Sequence, residues 1–299
     1  MTTATASSPS VWLAAARPKT LPAAIAPVLV GIGLAWDAGA FHALAAACAL
    51  LGAVLIQIGT NYSNDAEDHV RGADTEARKG PLRATAAGLV SARQMRVAAG
   101  VAFALAFASG LYLIARGGWP ILVLGLVSIA SGIAYTAGRY ALAYTGLADL
   151  FVLVFFGPVA VAGTYYVQAL SLPGWVPVAG LGPGALATAI LLANNVRDVE
   201  EDRRADKRTL VVRFGRPFGV RLYAACISLA VVVPAALVYV SRDHLGALAA
   251  SALAALAGRR LARTLATTAD PAVLNPLLGR TAGLLFLYSV AFALGWTLT

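Results

Sequence analysis

Two stretches of this chain carry reactive chemistry in an otherwise apolar sequence. The first runs from Gln57 to Gly88, QIGTNYSNDAEDHVRGADTEARKGPLRATAAG, and the second from Leu191 to Arg216, LLANNVRDVEEDRRADKRTLVVRFGR. Together they hold ten of the 14 acids: Asp65, Glu67, Asp68, Asp74, Glu76, Asp198, Glu200, Glu201, Asp202 and Asp206. Asn64 and Asp68 stand four residues apart, as do Asn194, Asp198 and Asp202, so on helices each set lies along one face. Oxygen ligands with no Cys or His partner suit a hard ion such as Mg²⁺, which favours a few carboxylates plus phosphate oxygens. The expected ligand is therefore a metal diphosphate. Arg78, Lys79 and Arg83 after the first set, and Lys207 and Arg208 after the second, are placed to neutralise that diphosphate. Asn64, Asn194 and Asn195 are candidate substrate contacts beside them. The outer acids Glu67, Glu76, Glu200 and Glu201 read as solvated surface groups, while Asp65, Asp74 and Asp206 fit either role.

Asp149 is an isolated acid at the start of an apolar run. An ionisable group at membrane depth is functional by default, which leaves a third-wall metal or proton group, or a packing group bonded to Tyr135 or Tyr140. Those two tyrosines flank Arg139 and are candidate substrate contacts. An interfacial belt accounts for Tyr62, Tyr144, Tyr165 and Tyr166. The three histidines are scattered, which argues against zinc or haem. The GLGPG at 180–184 suits a turn, or a bend within a span, better than a dinucleotide loop. Cys48 and Cys226 read as buried, inert thiols.

The elements that must position these groups are membrane helices. The chain is 59% hydrophobic and only 12% charged, with a mean hydropathy of +0.75, which places it outside soluble domains. Apolar runs predict an all-α bundle of nine transmembrane helices in one domain: 20–36, 41–63, 97–115, 119–138, 147–169, 174–196, 222–241, 244–260 and 281–298. Residues 1–15 read as a disordered tail, without the features of a secretory signal. With the N-terminus in the cytoplasm, 21 of the 23 Lys and Arg residues fall on the inner side and only Arg116 and Arg242 fall outside, as cytoplasmic loops require. Both acidic stretches then face the cytoplasm at the inner surface of the cell membrane. The net charge of +9 serves topology and anionic headgroups of the lipid bilayer, with no need of nucleic acid.

These motifs resemble the UbiA-type intramembrane aromatic prenyltransferases. NDAEDHVRGADTEARKGPLRATAAGLVS, AYTAGRYALAYTGLADLFVLVFFGPVAVAGTYYVQ and NNVRDVEEDRRADKRTLVVRFGR look like the branch that prenylates 1,4-dihydroxy-2-naphthoate in menaquinone synthesis, most specifically over Gly72 to Arg83. The resemblance implies nine helices and a Mg²⁺ cofactor bound to a polyprenyl diphosphate. It implies that Asn64, Asp65, Asp68 and Asp74 on one wall and Asp198 and Asp202 on the other hold the metal. Asp68, Asp198, Asp202 and Lys79 are then the expected catalytic groups, with Arg78, Lys79, Arg83, Lys207 and Arg208 on phosphate oxygens or the naphthoate carboxylate. Gly72 departs from the superfamily, in which many members carry a further Asp there, so the third ligand on that wall is open. The expected reaction transfers a polyprenyl group to 1,4-dihydroxy-2-naphthoate with loss of CO₂ and diphosphate. The alternatives are a 4-hydroxybenzoate, tocopherol-type or haem-type acceptor, or, in another class, a cation transporter, whose site would lie nearer the midplane.

Overall fold

The structure, a computed structural model, describes residues 8–72, 83–138 and 141–299. It is helical, with no strand among the described residues. In chain order the helices are α1 (Pro9–Ala15), α2 (Leu21–Asp37), α3 (Ala43–Val70), α4 (Ala92–Gly117), α5 (Trp119–Ala134), α6 (Leu142–Thr145), α7 (Ala148–Val154), α8 (Ala160–Ala169), α9 (Trp175–Arg197), α10 (Val199–Arg204), α11 (Leu210–Phe214), α12 (Arg216–Ser241), α13 (Leu248–Thr267) and α14 (Pro271–Leu298). Eight helical segments of the described chain are long and apolar enough to cross a membrane: Pro9–Asp37, α3, α4, Ala148–Ala169, α9, α12, Leu245–Thr267 and α14.

Two expectations differ from what is seen. Residues 9–15 are not a disordered tail but helix α1, whose Val11 and Ala15 are buried against Ala66, Ala84 and Met95. The expected span at 119–138 forms only the 16-residue α5, about 24 Å long at 1.5 Å per residue against a hydrocarbon core of roughly 30 Å. Its last residues leave the helix in a turn that ends at Gly138, with φ +81°, and this turn brings Thr136 against Asn64. Residues 180–184 stay helical inside α9, within the expected span 174–196.

The glycines of α9 serve packing. The chain between α7 and α8 winds as a π-type turn at Phe155–Val159, with Gly157 outside helical geometry and Pro158 lacking an amide proton to give. A Cβ on Gly157 would lie 2.6 Å from the Gly180 carbonyl oxygen, and one on Gly184 would meet the Leu153 carbonyl oxygen still more closely. The two backbones can approach this near only without side chains. Helix α9 is consequently the buried axis of the bundle, with α2, α7, α8, α12 and α14 packed around it. Gly184→Ala is expected to lower the melting temperature of the detergent-solubilised protein by forcing these backbones apart, a cost of about 1–3 kcal/mol. An unchanged melting curve would refute the close packing.

Candidate active site

Helix α3 ends on a polar face buried in an apolar chain. Asn61 donates to the Ala16 carbonyl at 2.8 Å and to Thr20 Oγ1 at 3.0 Å, fixing the elbow between α1 and α2. One turn on, Asn64 Oδ1 accepts from Thr136 Oγ1 at 2.7 Å, and its carbonyl accepts from Arg83 Nη1 at 2.8 Å. A further turn places Asp68, only 2% exposed. Its carboxylate receives Arg83 Nη1 at 2.6 Å, the Tyr144 hydroxyl at 2.9 Å and Lys207 Nζ at 3.5 Å. Asp65 plays a different part, its two oxygens accepting the backbone amides of Ala84 and Thr85 at 3.2 and 2.9 Å. It holds down the segment that delivers Arg83.

The second wall is the end of α9. Asp198 closes that helix and is gripped by Arg197 through two 2.6 Å bonds, the bidentate geometry that guanidinium and carboxylate share. Arg197 also donates to Asn194 Oδ1 at 2.6 Å and to Asn275 Oδ1 of α14 at 2.8 Å. Asp202 follows one turn later on α10 and is buried. Burial pushes its carboxyl up to about 7; Lys207 opposes that shift, and Asp198 and Asp68 add to it.

Lys207 joins the two walls. Its ammonium lies 3.5 Å from Asp68 Oδ2 and 3.9 Å from Asp202 Oδ1, so residues 134 positions apart in the chain face one cation. Beneath them Tyr144 carries Arg71 and Lys207 over its ring, 4.4 and 5.2 Å from the centroid. Burial and the adjoining Asp68 hold the Tyr144 hydroxyl protonated well above the usual phenol range, which keeps it a donor to that carboxylate. Glu67 pairs with Arg96 and Glu200 with Arg203 on the exposed rim, as the spacing predicts for outer acids.

Other candidates sit elsewhere. Arg208 is exposed beside Asp206, 3.7 Å away. Asn195 is buried one position off the Asn194–Asp198 face. Asp149 is buried at the start of α7. Asp74, Arg78, Lys79, Arg139 and Tyr140 lie outside the described residues. The sequence reading missed Arg197, which it counted only as a topological charge, Tyr144, which it assigned to a belt, and Thr136. Adjacency to Asp198 was the available signal for Arg197; nothing local marks the other two.

Below the polar cluster opens an apolar cavity of about 230 Å³. Gln57, Thr60 and Tyr135 line its neck, Phe151, Phe155 and Phe156 one wall, and Leu113, Ile121 and Val167 its far end. Along α7 and α8 it extends from Phe151 to Val167, about 24 Å of helix. Near that end Arg116 ties α4 to the end of α8, donating to the Val167 and Gln168 carbonyls at 2.6 and 2.9 Å.

The oxygen donors fit a hard divalent ion. Asp68 and Asp202 already share a cation in the Lys207 ammonium, and Asp198 adjoins Asp202 closely enough to raise it. Among the described residues no group of three acids, His or Cys is closed around a single point, so the carboxylates would converge on an ion only as their present cationic partners yield.

Fold and site together define a helical membrane protein with two acidic helix ends that meet and an apolar cavity between its helices. Residues 24–290 match the UbiA prenyltransferase family, and the chain belongs to that family. It is 39% identical to 1,4-dihydroxy-2-naphthoate octaprenyltransferase of Escherichia coli (strain K12), over 99% of this chain and 97% of the relative. It is 42% identical to the protein of the same name from Mycobacterium tuberculosis (strain ATCC 25618 / H37Rv), over 73% and 75%. Among solved structures, a UbiA homolog from Archaeoglobus fulgidus bound to DMAPP and Mg²⁺ matches with a TM-score of 0.65 at 17% identity, covering 95% of this chain and 99% of that one. The chain is thus a transferase of the prenyl-transfer class.

Proposed function

We propose that this protein transfers a polyprenyl group from its diphosphate to 1,4-dihydroxy-2-naphthoate with loss of CO₂, giving demethylmenaquinol, the reduced form of demethylmenaquinone. The observation that carries the site is the meeting of Asp68 and Asp202 around Lys207. The acceptor is carried by the near full-length similarity to a naphthoate prenyltransferase. We place the chain in the cytoplasmic membrane with nine spans, α5 being the ninth, and with the N-terminus and active site on the cytoplasmic side, in line with the distribution of Lys and Arg.

Asp68, Asp198 and Asp202, with Asn64 beside them, would hold Mg²⁺, which when bound neutralises the diphosphate and makes it a better leaving group. Arg83 and Lys207 set positive charge where negative charge develops on departure, the preorganised arrangement that contributes most to such a step. The apolar cavity takes the isoprenoid tail and excludes water from the allylic cation. The aromatic rings of Tyr135, Phe151 and Phe155 line the cavity and would stabilise that cation. An electron-rich ring carbon of the naphthoate then attacks, and its carboxylate leaves as CO₂.

Mass spectrometry of the product formed from 1,4-dihydroxy-2-naphthoate, a mixture of prenyl diphosphates and Mg²⁺ tests this directly. A prenylated ring without the carboxyl group, with equimolar CO₂, is expected. Turnover only with 4-hydroxybenzoate, with the carboxyl retained, would replace the acceptor. Tyr144→Phe removes the hydroxyl that orients Asp68. It is expected to weaken the apparent affinity for Mg²⁺ by about 10–100-fold, as loss of a ligand's outer partner does; an unaltered Mg²⁺ titration would show that Asp68 needs no such support.

A further inference from the structure

Asp149 is a buried acid that the diphosphate chemistry does not use. It is 5% exposed, and neither carboxylate oxygen has a hydrogen-bond partner on another described residue; only its own backbone N–H approaches it. The nearby Thr188 hydroxyl is spent on the Asp149 and Gly184 carbonyls, at 3.4 and 2.9 Å. A carboxyl group kept without partners in an apolar helical bundle is costly, and packing alone gives no reason for it.

Its position supplies one. Val152 and Phe156, one and two turns further along the same side of the helical segment, line the cavity. Tyr135 on the opposite wall lies within electrostatic reach of Asp149, Asp68, Asp202 and Arg17 together. Asp149 does not itself line the cavity; it stands beside Tyr135, which does, next to the neck where an acceptor ring would meet the first carbon of the prenyl chain. Each of the other buried carboxylates has partners: Asp68 pairs with Arg83 and Lys207, Asp198 with Arg197, Asp202 faces Lys207 at 3.9 Å, and Asp65 accepts the Ala84 and Thr85 amides. A carboxylate so paired is a weak base.

We propose that Asp149 is the proton acceptor for the ring hydroxyl of the naphthoate, an inference that rests on the transferase reading above. As the ring carbon bearing the carboxylate bonds to the allylic carbon, the neighbouring hydroxyl gives its proton to Asp149 and its oxygen becomes a ketone. The bond to the carboxylate then breaks, CO₂ departs, and the electron pair restores the aromatic ring as an enolate. Asp149 returns the proton to that oxygen, so no proton is gained or lost overall.

The test compares the wild type with Asp149→Asn and Asp149→Glu, each assayed with Mg²⁺, geranyl diphosphate and 1,4-dihydroxy-2-naphthoate. Asp149→Asn is expected to lower transfer by about 10²–10⁴-fold, the usual contribution of a general base. Mg²⁺-dependent binding of geranyl diphosphate and the melting temperature should stay at wild-type values, and Asp149→Glu, which keeps the carboxylate, should recover part of the rate. Full turnover by Asp149→Asn overturns the assignment. So does a loss of turnover matched by lost diphosphate binding or lost thermal stability, which would mark a structural role. A wild type that prenylates no naphthoate overturns the reading beneath the inference, and is distinguished from either result because the defect precedes any substitution.

Discussion

Asp68→Asn is expected to reduce prenyl transfer by about 10²–10³-fold, the cost of removing one preorganised charge from a site of this kind. Asparagine keeps the shape of the side chain and can still accept the 2.9 Å bond from Tyr144, so the protein should fold. What it loses is the charge that Arg83 and Lys207 face at 2.6 and 3.5 Å. A loss of stability of about 1–3 kcal/mol is expected from the weakened partnership with buried Arg83, too little to unfold the bundle. Initial rates at saturating acceptor, paired with a melting curve, check both halves; near wild-type rates would remove Asp68 from the chemistry.

Arg197→Ala carries the largest expected effect on stability. Arg197 and Asp198 are both buried, at 5% and 6% exposure, and the guanidinium bonds Asp198, Asn194 and Asn275 at once. Removing one partner of a buried ion pair strands the other charge, at a cost of about 3–5 kcal/mol. The variant should therefore melt well below the wild type without divalent ions. Added Mg²⁺ should raise its melting temperature more than that of the wild type, because a second cation can then occupy the freed Asp198. Equal Mg²⁺ responses in the two proteins would show that Asp198 is no ligand.

Much of this arrangement is legible from residue types. Long charge-free runs give the spans, since only a helix satisfies the backbone polar groups of a single segment in lipid, and four-residue spacing gives the faces of Asn64–Asp68 and Asn194–Asp198–Asp202. What the sequence hides depends on contacts between distant segments. Helix α1 is seven residues long and is held by burial of Val11 and Ala15 against Ala66 and Met95, so local pattern alone reads it as tail. Asp65 carries the same chemistry as Asp68, and only the fold shows that it accepts the Ala84 and Thr85 amides while Asp68 faces Arg83 and Lys207. The cavity is built from Gly, Ala, Leu and Phe on several helices, none distinctive by itself. Gly180 and Gly184 look like turn formers until their nearness to Gly157 and Leu153 shows why a side chain is excluded.

The most direct measurement is anomalous scattering from Mn²⁺ in crystals of the protein grown with a non-hydrolysable geranyl diphosphate analogue. The expected result is a metal peak bridging the analogue's phosphates and contacted by carboxylates from both helix ends, Asp68 on one side and Asp198 or Asp202 on the other. A peak held by one motif alone, or an analogue bound away from Lys207 and Arg83, would contradict it.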